Sequence, residues 1–125
     1  MNGHYETLVL DQGHQEDVLA LKLSGIITSK EMKEFNDHLD AIIAADLKAR
    51  VLIDLTAYEG FDSSLVIEKF SHLKAYWKGI KKLAYIIDEK WMQQAIGFAD
   101  TLTPMNMRAF SHDQKEEAKA WLLKD

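Results

Sequence analysis

The chain contains no cysteine, so disulfides, thiolate metal sites and thiol nucleophiles are excluded. It has one proline in 125 residues, and no linker, internal repeat or low-complexity tract divides it. A single domain with one core is expected. Positive charge is in short supply, with 15 Lys and Arg against 20 Asp and Glu. The resulting net charge of −5 opposes general attraction to nucleic-acid phosphates. No stretch approaches the roughly 20 apolar residues that cross a bilayer. The opening "MNGHYE" lacks the basic start and apolar run of a signal peptide. The expected location is the cytoplasm, with peripheral membrane contact as an option taken up below.

Catalytic signatures are equally scarce. His4 and His14 each begin a His-x-Glu triplet, but the zinc-deaminase use of that spacing needs cysteine ligands. His-Glu-x-x-His, Gly-x-Ser-x-Gly and glycine-rich phosphate loops do not occur. His38, His72 and His112 are isolated and are expected as exposed polar residues. Asp54 and Asp88 fall at the predicted ends of strands, where ligands of α/β sheets often bind. Tyr58 and Glu59 are expected in the loop after Asp54. No nucleophile, base and oxyanion set converges, so neither an enzyme nor a cofactor or metal is expected.

What is present is an alternation of apolar runs and amphipathic stretches. Residues 5–10 and 18–24 are β-favouring and joined by a polar loop, which predicts a hairpin. Thr28 and Glu31 have capping-box spacing, and Met32, Phe35, Leu39, Ile42 and Ile43 follow on one helical face. Strands are predicted at 50–56, 82–88 and 106–110. Helices are predicted at 64–79, with Val66, Phe70, Leu73 and Trp77 inward and Gly79 as stop, and at 89–102, ended by Pro104. Ser111 or Asp113 can cap a last helix that buries Ala118, Trp121 and Leu122. The order ββαβαβαβα predicts an α/β domain with about four helices. Its sheet is mostly parallel, with the N-terminal strand antiparallel.

The stretches "ARVLIDLTAYEGFD" (49–62), "IKKLAYIIDEKWMQQ" (80–94) and "MRAFSHDQKEEAKAWL" (107–122) resemble the SpoIIAA-like family of small bacterial proteins. That family is related to the STAS fold of anti-sigma-factor antagonists, and the likeness spans essentially the whole chain. It implies a non-enzymatic module. Classical antagonists carry a phosphorylatable serine in an Asp-Ser-Ser-Gly-like stretch and bind the kinase that modifies it. Asp62, Ser63 and Ser64 match its first part, making Ser63 the counterpart of the modified serine, while Leu65 stands where the motif has glycine. SpoIIAA-like relatives are better viewed as binders of hydrophobic ligands or membranes.

Two readings of each candidate site remain open. Asp62, Ser63 and Ser64 suit a helix cap as well as a phosphorylation site with a protein partner. Leu65, His72 and Tyr76 flank the core stripe of 64–79, and Met92 and Ile96 widen that of 89–102. They either complete a broad core or border an apolar groove for a small ligand, together with Trp77. Lys69, Lys74, Lys78, Lys81 and Lys82 gather near the end of 64–79, as a solvated face or as contacts to anionic lipid headgroups. The leading expectation is a binding module for an apolar ligand or anionic membrane surface through Leu65, Lys74, Tyr76, Trp77, Lys78, Met92 and Ile96. The runner-up is protein–protein signalling switched at Ser63 or Ser64. An uncovered edge strand or helix flank also makes a homodimer an expectation to test.

Overall fold

A computed structural model describes residues 3–8, 17–61, 79–90, 93 and 106–124. Five strands form one sheet in sequential order: β1 (His4–Thr7), β2 (Val18–Ile27), β3 (Ala49–Phe61), β4 (Ile80–Ile86) and β5 (Asn106–Phe110). β1 runs antiparallel to β2, and the other neighbours are parallel. Two α-helices are described, α1 (Ser29–Ala44) on one face and α2 (Lys115–Leu123) on the other. The helices expected over 64–79 and 89–102 lie almost wholly outside the described residues. Within the second stretch, the Gln93 amide donates to the Glu89 carbonyl at 3.0 Å, as one turn of helix requires.

α1 begins as its sequence predicts. The Glu31 carboxylate accepts from the Thr28 amide at 2.9 Å, completing the capping box. Met32, Phe35, Leu39, Ile42 and Ile43 then pack on Leu21, Leu23, Val51, Ile53 and Leu55, the residues of β2 and β3 that face α1. The helix ends in a Schellman turn. Leu47 N donates to Ile42 O at 3.3 Å and Asp46 N to Ile43 O at 3.0 Å. Asp46 therefore sits at φ 61, a left-handed position that favours glycine.

β3 corrects the predicted boundary. Residues 57–60 read as a loop because they lack an apolar run and end in glycine. Pairing with the long β2 carries the strand on to Phe61, so Tyr58 and Glu59 belong to β3. Two register shifts accommodate the extra length. One separates Lys22↔Asp54 from Ser24↔Ala57, and the other separates Gly25↔Tyr58 from Ile26↔Gly60. Gly25 and Gly60 take φ 69 and 143 at these irregularities. The partnership of β3 with β4 ends at Asp54↔Ile86. Beyond Asp54, β3 pairs with β2 and no longer with β4.

On the α2 face, the sheet presents three transverse rows, because side chains alternate along each strand. The middle row, Ala20, Leu52 and Ala84, is apolar and receives Ala118 and Leu122 of α2. Small side chains at 20 and 84 let the helix lie close. The row below it contains Arg50 and Lys82, both buried. Arg50 Nη1 donates to Leu122 O at 2.8 Å and Lys124 O at 3.1 Å, and Lys82 Nζ donates to Trp121 O and Lys124 O. These are the carbonyls that a helix C-terminus leaves unpaired, and cations there also complement the helix dipole. Asp17 accepts from Arg50 Nε at 3.2 Å. The Lys82 ammonium additionally lies 4.9 Å from the Trp121 ring centroid.

Two stability measurements check this architecture. Asp46→Gly relieves the left-handed strain and is expected to raise unfolding free energy in urea by about 0.5–1 kcal/mol. Arg50→Met strips a buried donor set from the end of α2 and leaves carbonyls unpaired, and is expected to cost about 3 kcal/mol in the same experiment.

Candidate functional site

The third row on the α2 face crosses five strands as Glu6, Lys22, Asp54, Ile86 and Phe110. Asp54 is buried where β3 parts from β4. The bulge after it takes the Thr56 amide out of the sheet ladder, and Asp54 Oδ1 accepts from that amide at 2.9 Å and from the Thr56 hydroxyl at 2.6 Å. Lys115, the first residue of α2, places its ammonium 3.4 Å from Asp54 Oδ2. Burial alone would push the Asp54 carboxyl up, but the Thr56 hydrogen bonds and the Lys115 charge outweigh it and hold the group below its ordinary value. Asp54 is thus an ionised carboxylate whose Oδ1 accepts twice and whose Oδ2 faces Lys115.

Asp88 lies just past β4 and fixes the turn His112–Gln114 that leads into α2. Its Oδ1 accepts from the His112 amide at 2.9 Å and contacts the ring Nδ1 at 2.9 Å. The amide and ring hydrogen bonds hold the Asp88 carboxyl low. The same ring contact and the Asp88 charge hold the His112 imidazole above its ordinary value. Gln114 accepts from the Ser111 amide at 2.9 Å, so Ser111 starts the turn His112–Gln114, whereas α2 itself begins after Gln114 without a side-chain cap from Ser111 or Asp113. Gln93 Nε2 donates to Ile87 O at 2.7 Å and ties its own turn to the end of β4.

A cleft of about 310 Å³ opens beside this row, between the first turns of α2 and the strands β1 and β2. Its floor is Leu8, Leu52 and Ile86. Its charged lining is Glu6 and Asp54 with Lys22, Lys115 and Lys119. Lys119 also pairs with the exposed Glu116 at 3.2 Å. Among the described residues, no cluster of three His, Asp or Glu side chains could hold a metal ion. No described helix is long and apolar enough to cross a membrane.

The sequence singled out Asp54 and Asp88 but found them no partners. Thr56, Lys115 and His112 supply them, the latter two from far along the chain. No spacing signal joins residue 54 to residue 115. The sequence also counted Lys82 in a solvated cluster, and the structure corrects this. Lys82 alternates inward on β4 and is buried at the end of α2, whereas Lys81 is exposed. His38 and His112 are exposed as expected, though each is held. His38 Nδ1 lies 2.7 Å from the Tyr5 hydroxyl, whose pKa is pushed up to about 12 by burial and by Glu34. Ser63, Ser64, Leu65, Lys74, Tyr76, Trp77, Lys78, Met92 and Ile96 lie outside the described residues.

A model of the SpoIIAA-like family matches residues 18–123. No curated protein matches the chain. Among solved structures, an uncharacterised Shewanella loihica PV-4 protein with a SpoIIAA-like fold is 20% identical at a TM-score of 0.77. The match covers 96% of this chain and 93% of that one. The anti-sigma factor antagonist SpoIIAA, in its unphosphorylated form, is 11% identical at a TM-score of 0.54, covering 94% and 98%. At these identities the likeness concerns the fold.

The paired contact of Asp88 and His112 makes a titration prediction. By NMR, the His112 ring is expected to titrate above the ordinary histidine value of about 6.5, and to return towards it in Asp88→Asn. Because the folded-state value is the raised one, the contact stabilises below the unfolded value and is lost as pH rises through the folded one.

Proposed function

Because the chain belongs to the SpoIIAA-like family, we propose that it is a non-catalytic binding module. It associates with an apolar small ligand or an anionic membrane surface through residues 64–79 and 89–102. The observation that carries the non-catalytic reading is the state of Asp54. The buried carboxylate best placed for chemistry, at the carboxyl end of the β3–β4 pairing, already accepts twice from Thr56 and pairs with Lys115. A general base works by taking up a proton, and a carboxylate held ionised below its ordinary value by Thr56 and Lys115 is a weak one.

The apolar reading draws on the opposite face. There Leu83 in the middle of β4 and Ile87 just past its end, with Met107 of β5, continue the apolar surface that α1 covers over β2 and β3. An amphipathic segment docked over such a surface keeps its flank residues for a ligand. Leu65, Tyr76, Met92 and Ile96 are those flank residues in the sequence, joined by Trp77 of the inward stripe, with Lys74 and Lys78 as the headgroup contacts.

Sedimentation with anionic vesicles and titration with a fluorescent fatty acid test the proposal. Trp77→Ala or Met92→Ala, in protein with an unchanged circular dichroism spectrum, is expected to weaken fatty-acid binding about tenfold. Lys74→Gln and Lys78→Gln are each expected to weaken vesicle binding about fivefold, an effect that high salt removes. Absence of both fatty-acid and vesicle binding overturns the reading.

A further inference from the structure

The cleft beneath α2 has a lining that joins an apolar floor to converging charge. Its volume of about 310 Å³ falls at the small end of ligand-binding pockets. The charges are not equivalent. Asp54 and Lys115 neutralise one another within the fold. That leaves Lys22 and Lys119 against Glu6. Lys22 and Glu6 face each other across the β1–β2 pair, and among the described residues neither side chain has a hydrogen-bond or ion-pair partner. Lys119 is held only by Glu116, whose side chain is 85% exposed, and such surface pairs contribute little.

We propose that this cleft binds a small organic monocarboxylate with a compact apolar body. The carboxylate lies between Lys22 and Lys119, and the body rests on Leu8, Leu52 and Ile86. The net excess in the lining is one positive charge, which matches a monoanion. A phosphate dianion would bring a second negative charge beside Glu6 and Asp54, which oppose it. The floor discriminates against a bare inorganic ion, because it offers an ion no polar contact and an alkyl group a dry surface. The site shares no residue with the stretches 64–79 and 89–102 and goes beyond the function proposed for them.

The experiment titrates the full chain with 4-methylpentanoate, followed by calorimetry and by amide NMR shifts. Binding with a Kd of about 1 mM or tighter is expected, with shifts centred on residues 22, 52 and 119. Lys22→Gln is expected to weaken it about tenfold, Lys119→Gln to weaken it in the same sense, and Glu6→Gln to strengthen it. Lys33→Gln, on the far helix α1 and exposed, leaves it unchanged. Leucine has the same body with an added ammonium group, and it and inorganic phosphate are each expected to bind at least about tenfold more weakly. Trp77→Ala leaves carboxylate binding intact, and Lys22→Gln leaves vesicle binding intact, so the two proposals fail separately. The assignment is overturned by no binding to folded protein at millimolar ligand, by leucine or phosphate binding as tightly, or by Lys22→Gln and Lys119→Gln behaving like Lys33→Gln.

Discussion

The fold on the α2 side depends on two cations placed where cations are costly. Arg50 and Lys82 are buried side by side on neighbouring strands, in a chain whose net charge is negative. Like charges so close would repel in a dry interior. They are tolerated because each is spent on main-chain oxygens. The last carbonyls of α2 and the Asp17 carboxylate take up their donors, and the helix dipole supplies partial negative charge at the same point. The arrangement specifies more than it stabilises. Only a helix ending at this row can satisfy both side chains, so the position of α2 along the sheet is set by polar satisfaction and its closeness by Ala20, Ala84 and Ala118.

The other end of the helix is matched to the same strand. Arg50 and Asp54 are four residues apart on β3, about 13 Å at strand rise. The 9 residues of α2 span about the same length at helix rise. The helix therefore runs antiparallel to β3, with its last carbonyls over Arg50 and its first residue, Lys115, over Asp54. The cleft follows from this registration. α2 lies mainly over β3, β4 and β5 and reaches β2 at Ala20, leaving Glu6 and Lys22 at the rim of an apolar floor.

Much of the scaffold was legible in the residues. Thr28 and Glu31 announced the start of α1, its apolar stripe located its packing face, and β5 fell at 106–110 as read. These are local signals, in which the spacing itself carries the physics. What stayed hidden depends on pairs distant in sequence. Lys82 adjoins Lys81 and reads as one of a surface run, and only the β4 alternation turns one inward and the other out. Asp54 had no visible partner because Lys115 lies sixty-one positions away by numbering. The true end of β3 was masked by Gly60, whose unusual backbone angle reads as a turn but here serves a bulge. The residues the sequence favoured for ligand and membrane contact, Leu65, Lys74, Tyr76, Trp77, Lys78, Met92 and Ile96, lie outside the described residues, and the case for them is their amphipathic pattern.

β3 is also two strands in mechanical terms. Up to Asp54 it is flanked on both sides by strands and covered on both faces. Past the bulge at Thr56 it hydrogen-bonds to β2 and has parted from β4. Its root is anchored by Arg50 and Asp54 beneath α2, and its far arm stays in the sheet through β2 as far as Ile27↔Phe61. The change of partners falls at the Asp54–Thr56 hydrogen bonds, so the carboxylate that pairs with Lys115 also takes up the amide that the bulge releases.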